Sequence, residues 1–298
     1  MKKRILVLIL VLALSVLPAC GKTAEPAGTP APTPAPTEAA EPAPAETVQT
    51  GRAATNEINI GIAQDFDSLD PDTMTAAGTK EVMFNVFEGL VKPSSDGEIL
   101  PAVASDVVKS DDGLTYTFTL RQGVRFHNGN PVTMQDVVFS IERRWNSDDA
   151  AAILAALAVI DHLDYDENTL TITLSEPSNE FLAAVMNAYI LPSDYDAQAT
   201  APVGTGPYKF VSFDGTVITL QRDEDYWQLK AGMTPRPEQC ANVQTIVYRL
   251  ISESAQVVIG LQTGDLTCCP EFNRLDDAMT FASNPGFQVM YYPQKFVN

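Results

Sequence analysis

The sequence predicts a mixed α/β fold of the α+β kind, divided into more than one subdomain. Three observations carry that expectation. Short segments alternate apolar and polar residues with a period of two, as half-buried strands do. Turn dipeptides and tripeptides separate them at hairpin distances. Helical segments are interspersed, but strands and helices do not follow one another in a regular βαβ rhythm, so a doubly wound parallel sheet is not expected.

The elements follow in order. Ile58, Ile60 and Ile62 alternate with polar residues and predict a first strand. A loop over 65–80 leads into an expected helix over 81–90. Asp111-Asp112-Gly113 is a turn, and after it Tyr116, Phe118 and Leu120 alternate with Thr115, Thr117 and Thr119. Asn128-Gly129-Asn130-Pro131 is a second turn. Thr133, with Asp136 three residues on, has the spacing of a capping box, and Val137, Val138, Ile141 and Trp145 form the apolar face of the helix it starts. Strands over 161–165 and 170–174 flank Asp166-Glu167-Asn168. A short helix is expected over 181–186, and strands over 208–213 and 217–221 flank Asp214-Gly215. A strand over 244–250 precedes a helix capped by Ser252 and stopped by Gly264, with Leu266 opening a further strand.

The first 55 residues are of another kind. Lys2, Lys3 and Arg4 precede an apolar stretch over 5–17. It is shorter than the roughly 20 residues a spanning helix needs, so it reads as a secretory signal. Leu17-Pro18-Ala19-Cys20-Gly21 ends it and resembles a bacterial lipobox, in which the signal is removed and the cysteine, here Cys20, becomes a lipidated (palmitate-bearing) first residue. Residues 21–55 are rich in Ala, Pro, Thr and Glu, a composition that builds no core and forms a semi-stiff stalk. Signal, anchor and stalk predict a membrane-tethered protein on the extracytoplasmic face.

Charge and cysteines narrow the chemistry. The chain carries 38 acidic against 19 basic residues, a formal net charge of −19. Such a surface opposes nucleic acid, whose phosphates demand a basic footprint, and broad contact with anionic headgroups. Of four cysteines, Cys240, Cys268 and Cys269 remain after Cys20, an odd set whose pairing is open. With only His127 and His162 in the chain, no metal site and no cofactor are expected.

Five blocks, in order, carry a family resemblance. They are Asp67-Ser68-Leu69-Asp70-Pro71 with 86–91 (VFEGLV), the long run from Pro101 to Ser140, residues 202–208 (PVGTGPY), Asp225-Tyr226-Trp227, and Ile246-Val247-Tyr248 followed by Gly264-Asp265. Together they resemble the extracellular solute-binding proteins, family 5, the peptide- and nickel-binding proteins of ABC importers. The resemblance implies a periplasmic-binding-protein-like type II fold, two lobes closing on a ligand, with permease subunits as membrane partners. It divides the chain into a signal (1–20), a stalk (21–55), a first lobe (56–267, with an inserted subdomain roughly over 90–195) and the start of a second lobe (268–298), most of which is expected to be missing. It implies that Met74, Thr75, Ala76, Ala77, Gly78 and Thr79 touch the ligand. These small, weakly polar residues suit main-chain hydrogen bonding to an extended peptide.

Other motifs have structural readings. Gly204-Thr205-Gly206-Pro207 lacks the lysine of a phosphate loop and is expected to be a turn in which the glycines supply positive φ. Trp145 and Trp227 are expected in packing, and His127 at the surface. Three functions compete: a transport receptor for peptides, with nickel or another small solute as alternative cargo; a lipid-anchored hydrolase; and a structural surface lipoprotein. The hydrolase has no G-x-S-x-G or H-E-x-x-H to support it, so an enzyme is not expected.

Overall fold

The computed structural model describes residues 56–63, 65–94, 96–146, 156–230, 241–270, 272 and 274–290. The signal, Cys20, the stalk and Cys240 lie outside them. No helix among the described residues is long and apolar enough to cross a membrane.

Two four-stranded sheets organise the chain. The first has the order β1 (Glu57–Ile62), β10 (Thr245–Leu250), β9 (Val217–Arg222) and β8 (Tyr208–Phe213). β1 runs parallel to β10, and the other pairs are antiparallel. The second has the order β4 (Ala104–Lys109), β5 (Thr115–Leu120), β7 (Thr169–Leu174) and β6 (Ile160–Tyr165), antiparallel throughout. A two-stranded ribbon, β2 (Val91–Pro93) with β3 (Ile99–Pro101), leads into it. Its strands lie between β1 and β8 in the chain. Among the described residues five α-helices accompany the sheets: α1 (Ala77–Met83), α2 (Met134–Trp145), α3 (Phe181–Met186), α4 (Ser254–Thr263) and α5 (Leu275–Ala282).

Alternation decides which face of each sheet is buried. Tyr116, Phe118 and Leu120 of β5 and Leu170, Ile172 and Leu174 of β7 join Val137 and Ile141 of α2 in one core. The intervening threonines face outward as three cross-strand pairs, Thr115–Thr173, Thr117–Thr171 and Thr119–Thr169. β-Branched residues suit such a half-exposed pleat. A second core gathers Ile62, Ile218, Leu220, Ile246 and Tyr248 of the first sheet with Val82, Met83, Val86 and Phe87.

The expected capping box forms. Thr133 Oγ1 accepts from the Asp136 N–H at 3.3 Å, and Asp136 Oδ2 accepts from the Thr133 N–H at 2.9 Å. Asp136 Oδ1 also accepts from the N–H of Ser193 at 2.9 Å, so one carboxylate both starts α2 and fastens the chain that follows α3. Gly264 closes α4 at φ 83°, the left-handed conformation a helix stop asks of glycine. The start of α4 differs from expectation: Glu253, not Ser252, is the N-cap residue, and it makes no side-chain cap bond.

The largest departure concerns residues 81–90. α1 occupies 77–83, and beyond it the chain turns and straightens into β2. Val82, Met83, Val86, Phe87 and Leu90 have helical spacing, but the straightened segment is buried on both sides, Val86 and Phe87 in one core and Leu90 in the other. Gly89 allows this path, since a Cβ there would lie 2.8 Å from Met186 O.

Between the cores the carboxylate of Glu88, 1% exposed, accepts three hydrogen bonds. They come from Tyr226 Oη at 2.7 Å, Trp227 Nε1 at 3.0 Å and Lys92 Nζ at 3.2 Å. Lys92, 3% exposed, also lies over the Phe84 ring, and the Arg121 guanidinium covers Trp227 at 4.1 Å. Trp227 is therefore packing, as expected, with a polar bond that its sequence context did not announce.

The turn at 204–207 packs directly on the segment 85–87. Gly206 N–H donates to Val86 O at 2.9 Å, and Tyr208 N–H donates to Asn85 O at 3.0 Å. Neither glycine has a positive φ. What demands glycine is close approach: a Cβ on Gly204 would sit 2.2 Å from Val86 O, and one on Gly206 would sit 2.4 Å from Asn85 O. His127 is half-buried here rather than at the surface. Its Nδ1 accepts from Gly204 N–H at 3.3 Å and its Nε2 donates to Gly206 O at 2.9 Å, a neutral ring clamping the turn. We expect Gly206→Ala to destabilise the fold by about 1–3 kcal/mol through overpacking, read as a lowered urea midpoint with an unchanged slope.

Candidate functional site

The loop over 65–80 leaves the end of β1, where the first sheet delivers the chain to its rim. Asp67 organises it. Its Oδ2 accepts from Thr75 N–H at 2.8 Å, Thr75 Oγ1 at 2.6 Å and Ala76 N–H at 2.9 Å. Its Oδ1 accepts from Thr79 Oγ1 at 2.7 Å, and its own N–H donates back to that hydroxyl at 2.9 Å. A carboxylate eight to twelve residues upstream thus replaces the missing side-chain cap of α1, whose N-cap residue is Ala76. Burial pushes the Asp67 carboxyl up, but the bonds from Thr75, Thr79 and Ala76 more than offset it and hold it far below the usual carboxylate range.

A second set of contacts ties the loop to α2. Arg143 bridges Asp70 at 3.3 Å and pairs with Asp72, and Arg144 reaches Asp72 Oδ1 at 3.2 Å. Burial raises the Asp72 carboxyl despite both guanidinium groups. Asp70 also makes an Asx turn, its Oδ1 accepting from Asp72 N–H at 3.0 Å. The loop is anchored from within by Asp67 and from α2 by two arginines.

The six predicted site residues divide accordingly. Met74 is buried in the second core, and Gly78 and Thr79 are buried within α1. Thr75 and Ala77 are exposed and Ala76 is half-buried, so these three are what the segment offers to solvent. The main-chain donors of Thr75 and Ala76 are taken by Asp67. Residues 77–79, read as loop from the sequence, belong to the helix. Asp67 stands in the first family block, but its role is not legible there, because no local spacing rule links a carboxylate to a helix start nine residues on.

At the far end of the first sheet, Thr267 N–H donates to Asn59 O at 2.7 Å and Gly61 N–H donates to Cys268 O at 3.1 Å. Residues 267–268 therefore lie along the free edge of β1 by an isolated parallel bridge instead of forming a longer strand at Leu266. Among the described residues Cys268 and Cys269 form no disulfide. Burial, then the nearby Glu81 carboxylate, pushes the Cys268 thiol up, which disfavours the reactive thiolate. Phe281 of α5 packs with Val257, Leu261 and Leu266 in a small cluster of its own.

The model for the bacterial extracellular solute-binding proteins, family 5, matches residues 98–298. The chain belongs to that family. The family 5 chain is 29% identical over 221 residues to the glutathione-binding protein GsiB of Pectobacterium atrosepticum, covering 71% of this chain and 41% of that protein. It is 28% identical over 255 residues to the nickel-binding periplasmic protein of Escherichia coli K12, covering 80% of this chain and 46% of the other. Among solved structures it superposes on the periplasmic binding protein DppA from Helicobacter pylori in complex with the peptide STSA. The TM-score is 0.67 and the identity 29%, over 77% of this chain and 49% of DppA. The family 5 chain thus spans less than half the length of these relatives and has their periplasmic-binding-protein type II architecture over the part it covers.

Removing the Asp67 acceptor has a pH signature. Its folded pKa is depressed, so its stabilisation is complete above the ordinary value of about 3.9 and fades as pH falls toward the folded value. Asp67→Ala is expected to lower the melting temperature at pH 7, and the gap between wild type and variant is expected to close as pH falls below about 3.9.

Proposed function

We propose that this chain is the solute-capturing part of an ABC importer for short peptides, held by a lipid on Cys20 at the extracytoplasmic face of the cell membrane. In this reading residues 56–267 form a first lobe with an inserted subdomain roughly over 90–195, and residues 268–298 begin a second. Closure on the peptide presents the loaded protein to permease subunits. The observation that carries the reading is family membership joined to the Asp67-anchored loop, which brings Thr75, Ala76 and Ala77 to the rim of the first sheet with little side-chain bulk. Met74, Gly78 and Thr79 serve from beneath, as the buried backing of that rim.

Small residues on a doubly anchored loop suit recognition of main chain over side chain, and hence cargo of varied sequence. Nickel, in free or chelated form, is the second reading, favoured by the likeness to the nickel-binding relative. Among the described residues no three His, Cys, Asp or Glu side chains are grouped as a metal would need, so peptide is preferred.

A pool of di- to pentapeptides is expected to raise the unfolding temperature. A peptide at 100 times its Kd adds about 2.7 kcal/mol to the folded state. A shift with nickel and histidine but none with the pool would move the assignment to the second reading. Peptide turnover in the same samples would replace transport with hydrolysis. The anchor is tested separately. Cells given labelled palmitate should label the wild-type chain and retain it on membranes, whereas Cys20→Ser should be unlabelled and released.

A further inference from the structure

A cavity of about 370 Å³ opens on the face of the first sheet opposite the second core, between β10, α4 and the segment that follows α4. It shares no residue with the loop over 65–80. Its walls combine three kinds of group: the guanidinium of Arg249, the carboxylate of Asp265 with the amide of Gln256, and an apolar side made by Ile251, Ile259 and Leu266.

Arg249, Asp265 and Leu266 are held in place. Arg249 Nε and Nη2 both donate to Asn59 Oδ1, at 3.2 and 3.0 Å, which fixes the plane of the guanidinium. Nη1 has no hydrogen-bond partner among the described residues, and no carboxylate there pairs with Arg249. In a chain of net charge −19 a half-buried guanidinium left without a counter-ion offers an anion site. Asp265 Oδ2 accepts from Thr263 Oγ1 at 2.7 Å, which leaves Oδ1 unpartnered among the described residues. Leu266, 3% exposed, forms the apolar floor. It is wedged between two glycines: a Cβ on Gly61 or on Gly260 would lie 2.7 or 2.9 Å from its side chain.

We infer that this cavity binds a free amino acid with an aliphatic side chain, as a second ligand site apart from peptide capture. Arg249 takes the α-carboxylate through its unused N–H groups, Asp265 takes the α-ammonium, and Ile251, Ile259 and Leu266 receive the side chain. One positive and one negative group in one small cavity select a zwitterion over either single ion. The volume falls within the roughly 300–1,000 Å³ of small-molecule sites.

Isothermal titration calorimetry of the full chain with L-leucine, L-leucinamide and 4-methylpentanoate tests the inference. Leucine should bind saturably, and leucinamide, lacking the carboxylate, and 4-methylpentanoate, lacking the ammonium, at least about tenfold more weakly, the loss of one charged contact. Asp265→Asn should weaken leucine binding at least about tenfold. Among the described residues Asp265 is exposed and bonds only Thr263, so the unfolding midpoint of Asp265→Asn should stay at the wild-type value. Arg249→Gln should abolish binding, and Arg249→Lys, which keeps the charge but loses the fork, should restore part of it. Absence of saturable leucine binding up to millimolar concentration would overturn the inference. So would equal affinity for leucine and either half-ligand, or leucine binding unchanged in Asp265→Asn.

Discussion

The carboxylate of Glu88 is the contact on which the rest of this fold turns. It sits on the extended segment that passes from one hydrophobic core into the other, and it accepts from Lys92 on that same segment and from Tyr226 and Trp227 of a third, smaller cluster. A buried charge survives only if the surrounding dipoles and counter-charges make good its lost hydration. Removing one partner of such a pair typically costs about 3–5 kcal/mol. Tyr226 and Trp227 supply hydrogen bonds, Lys92 supplies the opposite charge, and the main-chain carbonyl of Glu88 accepts Ile190 N–H at 2.9 Å. The segment is therefore pinned at side chain and backbone alike, and both cores are registered against it.

The candidate ligand loop depends on the same logic at smaller scale. Several acidic side chains among the described residues act as acceptors for main-chain N–H groups. Asp67 does so for α1, Asp136 for α2 and for Ser193, and Asp214 for the hairpin between β8 and β9. These carboxylates thus serve local geometry. The loop over 65–80 combines this device with two arginines from α2, which connect the rim of the first sheet to the helix of the other core.

Much of this was legible in the sequence wherever the local pattern and the tertiary environment agree. β5 and β7 read cleanly because threonines face water and Tyr116, Phe118, Leu170 and Ile172 face a core. The capping box at Thr133, the turn at Asp214-Gly215 and the stop at Gly264 are chemistry confined to a few residues. β4 was missed because it is an edge strand with Ser105, Asp106 and Lys109 exposed, so its alternation is weak. The helix misassigned over 81–90 failed for the opposite reason: a segment buried on both sides spaces its apolar residues without regard to backbone period. Glu88 could not be read at all, since its partner Tyr226 is 138 residues distant. At the candidate site, three of the six expected residues approach solvent and three are buried, and the carboxylate that holds them is not legible in the local pattern.

His127 carries a consequence for the environments this protein can tolerate. Its ring is wired as a neutral tautomer, with one nitrogen receiving a proton from the backbone and the other giving one. Desolvation lowers its affinity for a second proton. The unfolded chain takes that proton near pH 6.5, whereas the folded chain resists it, so acidification draws the equilibrium toward the unfolded state from that value downward. A single imidazole wedged against two glycines thus makes the packing of this turn sensitive to protons on the acid side of neutrality.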